Sequence, residues 1–137
     1  MKLQNLMLTV SSLVLSAGAA MADYSLTILH TNDFHARFEP ISKYDGTCGA
    51  EDNEAGKCFG GSARLVTAIS AARARSTNSN HVDGGDQVQG TLFYNYYKGR
   101  AAAEMMNKLA YDGMTVGNHE FDDGPEVLRG FMDAVQF

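Results

Sequence analysis

Three short segments carry residue types that can hold a divalent cation beside a phosphate group. The first is Gly117, Asn118, His119, Glu120, Phe121 and Asp122, which follows the short run Met114 to Val116. A glycine lets the backbone turn sharply where a strand stops. An asparagine carbonyl can bind a hard cation, and the adjacent imidazole can reach a phosphate held by that cation. His119 and Asp122 stand about one helical turn apart, so the carboxylate can orient the imidazole and favour its protonated form. Taken alone, the six residues also allow a polar turn in which His119 is only a surface or capping residue, though the metal site is the favoured reading.

The second segment is Leu26 to Phe38, where an apolar run ends in Asp33, Phe34 and His35. In an extended segment alternate residues point the same way, so Asp33 and His35 can grip one ion with an oxygen and a nitrogen. A lone Asp-x-His also suits an ordinary polar loop; its place after a buried-type strand gives it weight. The third segment, Val82 to Thr91, sets Asp86 beyond two glycines that permit close backbone approach. A carboxylate there can bridge two cations, and by itself the Asp-Gly-Gly-Asp run is also an ordinary turn.

Together these segments place Asp33, His35, Asp86, Asn118 and His119 on loops that each follow a short apolar run, the order seen when strands deliver ligands to one sheet edge. The chain here resembles the 5'-nucleotidase family of metallophosphoesterases, which is related more distantly to calcineurin-like phosphatases. LTILHTNDFHARF at Leu26 to Phe38 resembles the family's first signature and YDGMTVGNHEFD at Tyr111 to Asp122 its second. GGSARL at Gly60 to Leu65 and DGGDQVQGT at Asp83 to Thr91 are similar to family segments between them.

The resemblance implies that Asp33 and His35 bind one metal, Asp86 bridges both and Asn118 binds the second. It implies that His119 stabilises charge on the transferring phosphoryl group, with Asp122 as its partner. The cofactor implied is a pair of divalent ions, drawn from zinc, manganese, magnesium, calcium or cobalt. Two such ions about 3.5 to 4 Å apart can acidify a water and clamp phosphoryl oxygens during in-line attack, with no covalent enzyme intermediate. Family members complete their metal shells with downstream histidines, including a Gly-His-x-His motif absent from residues 1–137. The histidines present are His30, His35, His81 and His119. His30 reads as a structural neighbour of the first signature, and His81 as a solvated residue before the second strand. Losing an outer-shell partner costs about 10- to 100-fold in affinity or activity. The expectation is therefore that this chain alone binds metal weakly and turns over little or nothing.

The elements that must position these residues follow from periodicity. A strand at Ser25 to Thr31 leads through a cysteine-containing loop to a helix at Ser62 to Arg75, with Leu65, Val66, Ile69 and Ala72 at core-facing spacings. A short strand near His81 to Asp83 precedes a helix at Ala101 to Ala110, where Met105, Met106 and Leu109 form the apolar stripe and fill core rather than bind metal. A strand at Met114 to Val116 reaches the first segment above. Gly124-Pro125 then opens a helix whose Val127, Leu128, Phe131 and Val135 face the core. Phe93, Tyr94, Tyr96 and Tyr97 read as core and interface packing rather than as a base-stacking platform. The alternation predicts an α/β fold with the site at the carboxyl ends of the strands. The resemblance makes it an α-β-β-α metallophosphoesterase sandwich, with residues 23–137 its amino-terminal part. A sheet left open beyond them would expose backbone groups and an apolar helix face.

Residues 1–22 read as a secretory signal peptide, with Lys2, an apolar stretch from Leu6 to Leu15 and Ala20-Met21-Ala22 as cleavage site. That stretch falls short of the roughly 20 residues that span a bilayer. Export to a periplasm, cell surface or medium is the expectation, with no membrane span after cleavage. Cys48 and Cys58 lie in a polar, glycine-containing stretch and suit a disulfide closing a surface loop in an oxidising compartment. The alternative, a two-residue metal site, lacks Cys-x-x-Cys spacing and a nearby histidine. A net charge of −5 argues against nucleic acid as a primary partner. The reading is a metal-dependent hydrolase of nucleotide phosphate esters, serving nucleotide catabolism. The alternatives are a sulfur-oxidation hydrolase on the same scaffold and a non-catalytic truncated binding protein.

Overall fold

The computed structural model describes residues 23–137, and the signal peptide read at residues 1–22 lies outside them. Strand β1, Thr27–Thr31, and strand β2, Ser79–Asp83, run parallel from Thr27 opposite Ser79 to Thr31 opposite Asp83. Strand β3, Gly113–Met114, joins the other side of β2, giving a parallel sheet in the order β1-β2-β3. Parallel neighbours require crossovers, and helices supply them. Between β1 and β2 lie α1, Ala50–Glu54, and α2, Ser62–Ala74. Between β2 and β3 lie α3, Leu92–Tyr97, and α4, Gly99–Leu109. A single 3-10 turn at His119–Phe121 leads to α5, Pro125–Ala134. The expected α/β class is what the chain adopts, and the described residues supply one parallel sheet and its helices.

The core sits where α4 and α5 meet the sheet. Met106 and Leu109 of α4 and Phe131 of α5 are buried, with Leu128 and Val135 packed against them. On α2, Ile69 is buried and Leu65 partly so, but Val66 is exposed, contrary to the expected stripe. The aromatic segment splits in the same way: Tyr94 is buried and Phe93 packs on the core, whereas Tyr96 and Tyr97 face solvent. Neither α1 nor α3 was expected. Both are short, α1 lies inside the cysteine loop, and LFYNYY has no helical hydrophobic period to give it away.

His81 is the clearest correction. It was expected to be solvated, yet it lies inside β2, fully buried, with its ring stacked on Tyr111 at a centroid distance of 3.8 Å and an angle of 22°. Neither ring nitrogen has a hydrogen-bond partner among the described residues. Burial pushes its pKa below the ordinary value, with the Leu109 carbonyl acting the other way. Polar residues therefore fill the central strand, a case of tertiary pairing overriding local preference. Strand boundaries also moved: Ser25 and Leu26 precede β1, and Thr115 and Val116 follow β3.

Candidate metal centre

The three loops leaving the carboxyl ends of the strands lie side by side. The loop after β1 is laced to the loop after β2 by backbone hydrogen bonds from Asp33 N to Gly85 O at 2.9 Å, His35 N to Asp86 O at 3.0 Å and Ala36 N to Gln87 O at 2.9 Å. The loop after β3 joins them where His119 N donates to Asp86 Oδ1 at 2.9 Å. Close approach explains the glycines there: a Cβ on Gly117 would stand 2.7 Å from Asp86 Cγ, inside contact distance.

These loops bring together ligand atoms of His35, Asp86 and His119, all within 4.8 Å of one another. The His35 and His119 rings meet edge to face with centroids 5.1 Å apart. Asp33 stands beside this trio, its Oδ1 3.7 Å from His35 Nε2, while the Asn32 amide donates to its Oδ2. Asn118, exposed, opens the 3-10 turn. The route to this arrangement differs from the one expected. Asp33 and His35 do not alternate along an extended strand, because β1 ends at Thr31 and both residues, with Ala36 and Asp86, adopt left-handed backbone conformations with φ of 54, 51, 51 and 55°. Strained backbone of this kind clusters at functional sites.

His119 Nδ1 meets Asp122 Oδ2 at 2.7 Å, as the spacing predicted. That hydrogen bond raises the His119 pKa and lowers that of Asp122. Because Nδ1 is engaged, Nε2 is the ring atom free to face a ligand. Gln89 also donates to Asp122 Oδ2, at 2.8 Å.

Two buried carboxylates beneath the loops escaped the sequence reading. Glu120, 3% exposed, accepts from Gly117 N at 2.6 Å and Asp86 N at 2.9 Å through Oε2, and from Gln87 N at 2.8 Å through Oε1. It binds the second loop to the third. Asp83 accepts from Thr31 Oγ1 at 2.6 Å, Gln87 Nε2 at 2.8 Å and Gly85 N at 2.8 Å. Burial raises its pKa and those donors oppose the rise. The Tyr111 hydroxyl, 2.6 Å from Thr31 Oγ1, has its pKa pushed up to about 12 by burial. The signal for Glu120 was present in the sequence, a second carboxylate between His119 and Asp122; helical spacing drew attention to Asp122 alone.

The His35 imidazole and the Asp86 carboxylate, with Asp33 and an asparagine amide adjacent, fit a divalent cation that accepts mixed nitrogen and oxygen ligands, and His119 stands beside them. Cys48 and Cys58 are disulfide-bonded, with Cα atoms 5.9 Å apart, and take no part in the cluster. The two-residue metal alternative for these cysteines is thereby excluded.

A parallel sheet whose strand ends deliver such ligands is the architecture of a metallophosphoesterase, and comparison with known proteins agrees. Residues 26–135 match the calcineurin-like phosphoesterase family, and the chain belongs to it. It is 51% identical over 112 residues to a snake venom 5'-nucleotidase of Naja atra, covering 82% of this chain and 20% of that protein. It is 44% identical over 122 residues to the 5'-nucleotidase of Homo sapiens, covering 86% of this chain and 21% of that one. A crystal structure of a 5'-nucleotidase precursor from Thermus thermophilus superposes with a TM-score of 0.67 at 39% identity, over 82% of this chain and 21% of that chain. The chain thus spans about a fifth of the length of the curated relatives it matches.

Proposed function

We propose that this chain contributes the amino-terminal metal-binding half of a site that hydrolyses nucleotide phosphate esters. The observation that carries the reading is the convergence of His35, Asp86 and His119 from three strand-end loops, with Asp122 behind His119. Asp33 and His35 would hold one divalent cation, Asn118 would hold a second, and Asp86 would serve both. Such cations, when bound, supply Lewis acidity toward water and phosphoryl oxygens. His119 would present Nε2–H to an anionic phosphoryl oxygen, its protonated form favoured by the Asp122 hydrogen bond that also holds the ring in orientation. Glu120 and Asp83 keep the loops in register and take no part in the chemistry.

The nucleotide as substrate is supported by the 5'-nucleotidase relatives and by the phosphoesterase family. Export is supported by the Cys48–Cys58 disulfide, which suits an oxidising compartment. No helix of the described residues is long and apolar enough to cross a membrane.

The test is phosphate release from a nucleoside monophosphate by the purified chain across added manganese, zinc, cobalt, magnesium and calcium, with Asp86→Asn alongside. Slow release that requires a metal and disappears in the variant supports the reading. Release that is indifferent to metal, or unchanged in Asp86→Asn, contradicts it.

A further inference from the structure

Asp122 has a second support besides the histidine it serves. The Gln89 amide donates to Asp122 Oδ2, the same oxygen that meets His119 Nδ1, so one carboxylate oxygen is fixed from two directions. Gln89 does this from a left-handed backbone, φ 73°, which is uncommon for a residue with a long side chain. Its neighbour Gly90, φ 89°, lies against His35: a Cβ there would stand 2.9 Å from the His35 carbonyl oxygen and 3.0 Å from His35 Cβ. One two-residue turn therefore touches the support of both imidazoles. The residue after Asp122 is also pinned. Asp123 Oδ2 accepts from the hydroxyl of buried Tyr94 and from the Lys98 ammonium, each at 2.8 Å, which ties this end of the loop to α3.

We infer that Gln89 is a positioning residue for the site. Its amide holds the Asp122 carboxylate in the plane that receives His119, and with Gly90 it sets the separation of the His35 and His119 rings. A neutral donor suits the task, since it occupies a lone pair of Asp122 without cancelling the charge that orients the imidazole. A glutamate there would oppose one acceptor to another, and a shorter side chain would not span the gap. The consequence for turnover rests on the phosphoester-hydrolase reading; the placement of the ring does not.

The experiment is nuclear magnetic resonance of the 15N-labelled chain, following the His119 Nδ1–H signal, its exchange with water and the cross-peaks between the His35 and His119 rings. Gln89→Gly removes the amide while placing at a left-handed position the residue that tolerates it, so the fold is expected to survive. Gln89→Glu keeps the length and removes the donor, and it decides the matter should the glycine variant lose its fold. Exchange of the His119 proton is expected to accelerate at least about tenfold in each folded variant, the loss of one hydrogen bond. The ring cross-peaks should weaken while signals from Met106 and Ala102 stay in place. A His119 signal and ring cross-peaks unchanged in a folded variant overturn the proposal. Phosphate release measured on the same samples separates the two readings. A mobilised ring in a chain whose phosphate release is indifferent to metal counts against the hydrolase reading and leaves the positioning role standing. Retained release with an undisturbed ring does the reverse.

Discussion

The floor and the rim of the site use the same side chains for opposite ends. In the floor, Asp83 and Glu120 are 4% and 3% exposed, and their oxygens are occupied by backbone amides and by the side chains of Thr31 and Gln87. On the rim, the side chains of Asp33 and His119 are 57% and 37% exposed, and Nε2 of His119 takes no part in its Asp122 contact. A carboxylate saturated by buried donors has no lone pair to spare for a cation, whereas one held by a single contact has. The buried pair fixes geometry, and the exposed set is the one proposed to bind. Three of the rim residues, Asp33, His35 and Asp86, also have left-handed backbone.

That division can be broken by substitution, and the largest effect should come from the floor. Glu120→Leu strands the amides of Gly117, Asp86 and Gln87 in a buried position and should cost about 3 kcal/mol of stability, read as a shifted denaturant midpoint. A midpoint within error of the parent would mean that Glu120 does not join the loops. Next comes Asp86→Asn on the rim. Asparagine tolerates the left-handed backbone and still accepts from His119 N, so stability should change by less than about 0.5 kcal/mol. Manganese affinity by calorimetry should nevertheless fall by more than about 100-fold, beyond the loss of an outer-shell partner.

A smaller effect lies under the floor, at His81. Its folded pKa is below the ordinary 6.5, so as the pH drops past that value the unfolded chain takes up a proton that the folded chain refuses. Stability should therefore be level above that pH and decline as the solution is acidified below it. His81→Phe, which keeps a ring against Tyr111, should flatten that slope in acid unfolding curves. An unchanged slope would assign the acid sensitivity to another group. The smallest effect is at Asp122→Asn, which takes away the carboxylate charge behind the contact that raises the His119 pKa. The midpoint of a His119 titration should move down toward the ordinary histidine value, with the fold intact because both side chains are about a third exposed.

The rim was legible in the sequence and the floor was not. The residues that converge announce themselves as polar triplets after apolar runs, and GNHEFD yields the His119–Asp122 contact from helical spacing alone. The way Asp33 and His35 converge was misread, because a left-handed turn leaves no mark in an Asp-Phe-His string. His81 and Glu120 were missed for a shared reason. Their roles depend on partners distant in sequence, Tyr111 for one and Asp86 with Gln87 for the other, and local hydrophobic period carries no information about those. Helix α4 appeared where its stripe predicted, since Met106 and Leu109 face a core that a 3.6-residue period can describe. Helix α3 has no such period, and its tyrosines face both ways.

The central claim is that one cation site lies where the three strand-end loops meet. The most direct measurement is paramagnetic line broadening in 15N spectra of the chain titrated with substoichiometric manganese. Amide signals of residues 33–36, 84–87 and 117–120 should broaden first and together, while those of α1, whose Glu51, Asp52 and Glu54 offer an exposed acidic surface, stay sharp. Broadening that begins at α1, or at scattered carboxylates with the three loops unaffected, would contradict it.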